Sequence, residues 1–243
     1  MPQERVFQEK LKRYQEKKPT PQSLRLWSDI FVYSIILIIV LSLYGLIAGQ
    51  DFNLRLISRV FAEVAIILIG LSFILSAVCY FWNFAGKYII YRKELGVIGF
   101  MYAAIHGMYS LLMTPDILSF SNLQFFFGEK LLFSTVSAVT ALCMYLFMIM
   151  ISFRQVIEII SGHTWRTLMR IGYFALFLSL IHFFILKKNS WLAWFFGQDQ
   201  HIVPPMSLII FLFGIVVLCM RIILWFATHK KKTQTPVSSV SIK

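Results

Sequence analysis

Two histidines stand where ionisable side chains are costly. His106 and His182 each lie within an apolar stretch, and each closes the same series of small residues. Gly96, Gly99, Ala103 and His106 are 3, 4 and 3 positions apart, as are Gly172, Ala175, Ser179 and His182. On a helix of 3.6 residues per turn this spacing places each set on one face. Two such lanes facing each other would leave a slot for a flat molecule, and the imidazoles closing the lanes would suit the two axial positions of a macrocycle. The competing reading is packing, because small residues at these intervals let membrane helices approach and a His can simply hydrogen-bond across the interface. Ionisable groups at membrane depth are rare enough that a matched pair favours function.

Other chemistries lack their residues. Cys79, Cys143 and Cys219 fall in three different apolar runs with no paired spacing, which suits buried small hydrophobes better than a disulfide framework or a zinc site. No Gly-rich phosphate loop, strand–helix alternation or H-E-x-x-H helix occurs, so hydride from a pyridine nucleotide has no docking domain in this chain. Glu63, near one end of the second apolar run, is a candidate proton relay without an identifiable partner.

The elements that must hold the histidines are set by composition. Of 243 residues, 58% are hydrophobic and 14% charged, with a mean hydropathy of +0.74, a balance that cannot cover the surface of a soluble domain. The expectation is an all-α integral membrane protein, a bundle of six transmembrane helices at about 28–48, 60–84, 95–114, 131–152, 167–186 and 206–228. The chain then divides into a basic N-terminal segment (1–26), the six-helix domain (27–228) and a basic tail (229–243). Arg5 to Lys18 would form a basic helix or solvated tail, ended by Pro19 and Pro21.

The net charge of +12 sets orientation and does not point to nucleic acid, because Lys and Arg cluster in the short segments between spans. Only Arg55, Arg59, Lys130, Lys187 and Lys188 fall opposite the majority, and Arg221 lies within the last span. Both termini are expected to be cytoplasmic, with a multi-pass location in a cell inner membrane and no cleaved signal peptide. In that topology His106 and His182 share a level in the outer half. The outer connections carry Phe125, Phe126 and Phe127, then Trp191, Trp194, Phe195 and Phe196, read as interfacial half-helices or as a docking surface. His201 reads as solvated.

Two runs carry a resemblance. YRKELGVIGFMYAAIHGMY (Tyr91 to Tyr109) and SGHTWRTLMRIGYFALFLSLIHFFILKK (Ser161 to Lys188) resemble the ferric-reductase-like transmembrane haem superfamily, and within it the MsrQ/YedZ type, the haem-binding membrane subunit of a periplasmic methionine sulfoxide reductase system. That type has R-x-x-L-G-x-x-x-F-x-Y-x-x-x-H in its third span, matched by Arg92, Leu95, Gly96, Phe100, Tyr102 and His106. It has W-x-x-L-H-R-x-x-Y before a terminal L-H in its fifth, matched by Trp165, Leu168, Arg170, Tyr173 and His182. The resemblance implies a six-helix bundle, haem b held by His106 and His182, and electron transfer to an acceptor outside. It departs at one place: Met169 stands where the type has its inner histidine. One haem is therefore expected in place of two, with Met169 or His163 the available inner ligands. A quinone or FMN is an open further cofactor, and the donor would be a quinol or a separate flavin reductase.

Three functions follow from these observations. The first is a haem b protein passing electrons through the bilayer to an outer acceptor such as a periplasmic reductase partner. The second is a ferric or cupric metalloreductase acting at the outer face. The third is a cofactor-less membrane scaffold descended from the same bundle.

Overall fold

The computed structural model describes residues 21–113, 129–197 and 203–233, and every regular element among them is helical. In chain order these are α1 (Pro21–Ile47), α2 (Leu54–Phe81), a 3₁₀ segment (Asn83–Tyr91), α3 (Arg92–Leu112), α4 (Glu129–Ile151), the short α5 (Arg154–Ile159) and α6 (Gly162–Leu168), α7 (Ile171–Phe195) and α8 (Met206–Thr233). Six of them, α1 to α4, α7 and α8, are long and apolar enough to cross a membrane. The chain has the multi-pass all-α architecture that its hydropathy predicts.

Several expected bounds move, for local reasons. Pro21 is the first residue of α1, as suits a residue whose missing N–H costs nothing in a first turn. Helix α2 starts six residues before its expected position: Asn53 caps it by accepting from the Leu56 amide at 2.9 Å, so Arg55 and Arg59 lie within its first turns. Helix α7 starts at Ile171, after a break at Met169 and Arg170, and runs on to Phe195. Trp191, Trp194 and Phe195 are thus part of the fifth span and not of a separate interfacial half-helix. Trp191 is only 5% exposed; its indole N–H donates to Ser207 Oγ at 2.9 Å and its ring packs on Phe183, Phe184 and Phe211. The basic segment up to Lys18, Phe125 to Phe127 and His201 lie outside the described residues.

Helix α2 is the centre of the bundle and packs on α1, α3 and α8. Close approach is built from glycine. A Cβ on Gly99 would stand 2.8 Å from Ile69 Cγ1 and 3.1 Å from the Ile69 backbone nitrogen, so α3 lies directly against the α2 main chain. Gly172 of α7 likewise leaves room for Met148 of α4 and Phe73 of α2, whose nearest atoms would be 2.5 Å from a Cβ. These contacts revise one expectation: the glycines of the two lanes are seats for α2 and α4 side chains, and the lanes do not face each other across an open slot. Without a hydrophobic force between helices in lipid, such van der Waals seating and interhelical hydrogen bonds hold the bundle. Ser34 Oγ bonds Tyr102 OH at 2.8 Å, and Tyr44 OH donates to the Pro204 carbonyl at 2.6 Å.

The two hairpins α2–α3 and α4–α7 repeat one another with an offset of 76 residues. Ser58, Ser72, Gly96 and His106 correspond to Ser134, Met148, Gly172 and His182. The contacts repeat too: a Cβ on Gly96 would meet Ser72 Oγ at 3.2 Å, where Gly172 meets Met148. His106 and His182 therefore sit at equivalent points of two equivalent hairpins.

Candidate functional site

Each histidine is fixed by a serine of the antiparallel neighbour in its hairpin. His106 Nδ1 lies 2.9 Å from the Ser58 carbonyl oxygen and 2.9 Å from Ser58 Oγ. His182 Nδ1 lies 2.9 Å from both the carbonyl oxygen and Oγ of Ser134. Serine and histidine are 48 residues apart in both cases. A carbonyl oxygen only accepts, so Nδ1 must carry the proton and donate. In the neutral ring that assignment leaves the lone pair on Nε2. A ring whose orientation and tautomer are set by such an outer hydrogen bond is the usual form of a histidine metal ligand.

The tethers also set depth. Ser58 is 4 residues into α2 and Ser134 5 into α4, roughly 6 and 8 Å from the same end of the bundle at about 1.5 Å per residue. Counted from the opposite end, His106 is 14 residues into α3 and His182 11 into α7, so the two levels agree within about 5 Å. Both serines are nearly inaccessible, at 5% for Ser58 and 0% for Ser134, so their carbonyls are held away from competing water.

The donor set can be tested against the ligands it would hold. No group of three or more His, Cys, Asp or Glu side chains occurs among the described residues, so a closed zinc-type site is not built here. Two neutral Nε2 donors whose levels agree within about 5 Å could hold only a metal that brings its other ligands with it, as haem iron does. Three ionisable residues accompany them at the same end. Glu63, 4% exposed on α2, is one turn from Arg59 and within electrostatic range of Lys187 of α7. Arg59 Nη1 donates to Gln50 Oε1 at 2.6 Å. Glu63 thus shares this end of the bundle with two basic residues, Arg59 and Lys187.

The opposite end differs. Met169 caps α6, lines a cavity of about 280 Å³, and its sulfur accepts weakly from Ser152 Oγ at 3.9 Å. His163 is exposed on α6 and does not line that cavity, so the structure does not bring it to the inner position. The anchoring residues that sequence reasoning missed are Ser58 and Ser134. Their signal was the shared separation from the histidines, legible only once the two hairpins are aligned.

Compared with models of known protein families and with curated proteins, the chain matches none.

Proposed function

We propose that the chain is a membrane haem b protein that carries electrons through the bilayer to an acceptor on the outer face, such as a periplasmic reductase partner. The single observation that carries this reading is the pair of equivalent tethers, which hold His106 and His182 at one depth with Nε2 unprotonated. The resemblance of spans three and five to the ferric-reductase-like superfamily supports the same ligand pair.

Haem bound there supplies a one-electron carrier, and two imidazoles leave its iron no open position. The chain's own residues do the rest. Ser58 and Ser134 orient the rings through main-chain carbonyls, which side-chain motion does not displace. Arg59 and Lys187 supply positive charge beside a group that bears two carboxylates, while Glu63 keeps that charge from being left wholly uncompensated in the bilayer. The outer acceptor and the inner donor would be further proteins or a quinol, since the sequence carries no Gly-rich phosphate loop for a pyridine nucleotide.

The test is haem quantification on the purified chain, expressed with ample haem. One b-type haem per chain is expected. His106→Ala and His182→Ala should each lose it, and added imidazole should restore part of it. Colourless wild-type protein would favour a scaffold that has no cofactor.

A further inference from the structure

The cavity at the end of the bundle opposite the histidines is lined by two basic residues and by one buried donor that has no acceptor. It is enclosed by α2, α3, α4, α6 and the 3₁₀ segment and has a volume of about 280 Å³. Arg92 and Lys93, in the first turn of α3, both line it. So does Trp165 of α6, whose Nε1–H is buried and has no hydrogen-bond partner in the structure. A buried N–H left in this state keeps an uncompensated desolvation penalty, which a ligand acceptor would recover. Among the described residues no Asp or Glu lines the cavity. Glu94, the next residue along α3, is buried but does not line it. The hydroxyls of Ser72 and Ser152 already donate, to the Arg92 and Met148 carbonyls at 2.7 Å each.

Apart from Tyr145, whose hydroxyl is bonded to Ser179 Oγ at 3.4 Å, the remainder of the lining is apolar and reaches the surface. Phe100, Met148 and Ile149 form part of the wall, and Ile89 and Ile90, 40% and 49% exposed, lie at the rim. A free anion would satisfy the cations and the indole but leave the apolar wall unmatched. A molecule with an anionic head and an apolar chain satisfies both. Basic pockets between transmembrane helices are suited to such head groups, each Lys or Arg near an anionic leaflet contributing about 1 kcal/mol. The volume, near the lower bound of roughly 300–1,000 Å³ for small-molecule sites, takes a head group and the first part of a chain.

We propose that this cavity binds the phosphate head and upper acyl chain of an anionic phospholipid, held by Arg92, Lys93 and the Trp165 indole. The site is independent of the histidine pair and stands or falls separately from it. The experiment is native mass spectrometry of the full chain released from nanodiscs of phosphatidylglycerol, of phosphatidylcholine, or of phosphatidylcholine with inorganic phosphate added. Haem is counted in the same samples.

The expected result is one retained phosphatidylglycerol and little phosphatidylcholine. Arg92→Gln should lower retention about tenfold, as loss of a charge-assisted hydrogen bond would. Trp165→Phe should lower it severalfold, and Arg92→Lys should largely preserve it. Circular dichroism and elution volume confirm that each variant folds. Equal retention of both lipids, retention unchanged in Arg92→Gln and Trp165→Phe, or saturation by inorganic phosphate alone would each overturn the proposal. A second haem per chain that disappears in Arg92→Gln would also overturn it, because the cavity would then belong to a macrocycle.

Discussion

At the residue scale, the chemistry depends on which oxygen holds Nδ1. Ser58 and Ser134 each present two, a hydroxyl and a carbonyl, both at 2.9 Å. Only the carbonyl forces the proton onto Nδ1; a hydroxyl accommodates either tautomer. Ser58→Ala and Ser134→Ala keep the carbonyl, so both variants should bind haem with affinity reduced less than about tenfold, at the mild end of outer-shell effects. Haem titration of the purified variants checks this, and complete loss would transfer the role to the hydroxyl. The histidines were legible in sequence because ionisable side chains are conspicuous in apolar helices. The serines were not, because serine within such helices so often bonds its own preceding turn, as Ser137, Ser152 and Ser179 do here with Phe133, Met148 and Ala175. A serine that instead holds a partner helix looks the same in sequence.

At the element scale, the unit is the helical hairpin. Glycine on one helix lets the other approach, and the serine–histidine tether fixes the register near the far end. The seat at Gly99 is the most rigid of these, since the atoms an added Cβ would meet include the Ile69 backbone nitrogen at 3.1 Å. Gly99→Ala should therefore destabilise the chain by about 1–3 kcal/mol, the usual cost of overpacking. Gly86→Ala in the 3₁₀ segment, where nothing lies within 4 Å, is the matched control and should shift stability by less than about 0.5 kcal/mol. Thermal denaturation in detergent compares the two. The spacing of the small residues announced that each lane lies on one helix face. It did not announce what that face packs against, because Gly99 and Gly172 sit under side chains from α2 and α4 whose positions depend on the tertiary arrangement.

Trp191 teaches the same lesson along the helix. An aromatic run near a membrane boundary reads as an interfacial belt, yet here the α7 helix continues through it and Ser207 satisfies the indole. Trp191→Ala should cost about 3–5 kcal/mol, the range for removing a buried large aromatic. An effect under about 1 kcal/mol, measured in the same denaturation assay, would return the residue to the interface.

At the scale of the whole molecule, six apolar helices were readable from hydropathy alone, whereas their bounds were not. Charged residues such as Arg55, Arg59, Arg92 and Lys93 lie inside first helical turns, where long side chains reach toward the membrane surface. The excess of Lys and Arg at the end bearing both termini still predicts that this end faces the cytoplasm. Reporter fusions at each terminus should both report cytoplasmic placement. In that orientation the histidine pair would lie toward the outer face and the cavity beside Arg92 and Lys93 toward the inner leaflet.

The central claim is that His106 and His182 grip one iron from opposite sides. Low-temperature electron paramagnetic resonance of the oxidised, haem-loaded chain tests it most directly. The account predicts a low-spin bis-imidazole signal that is lost in His106→Ala and in His182→Ala alike. A high-spin signal in the wild type, or a low-spin signal that survives either substitution, would contradict it.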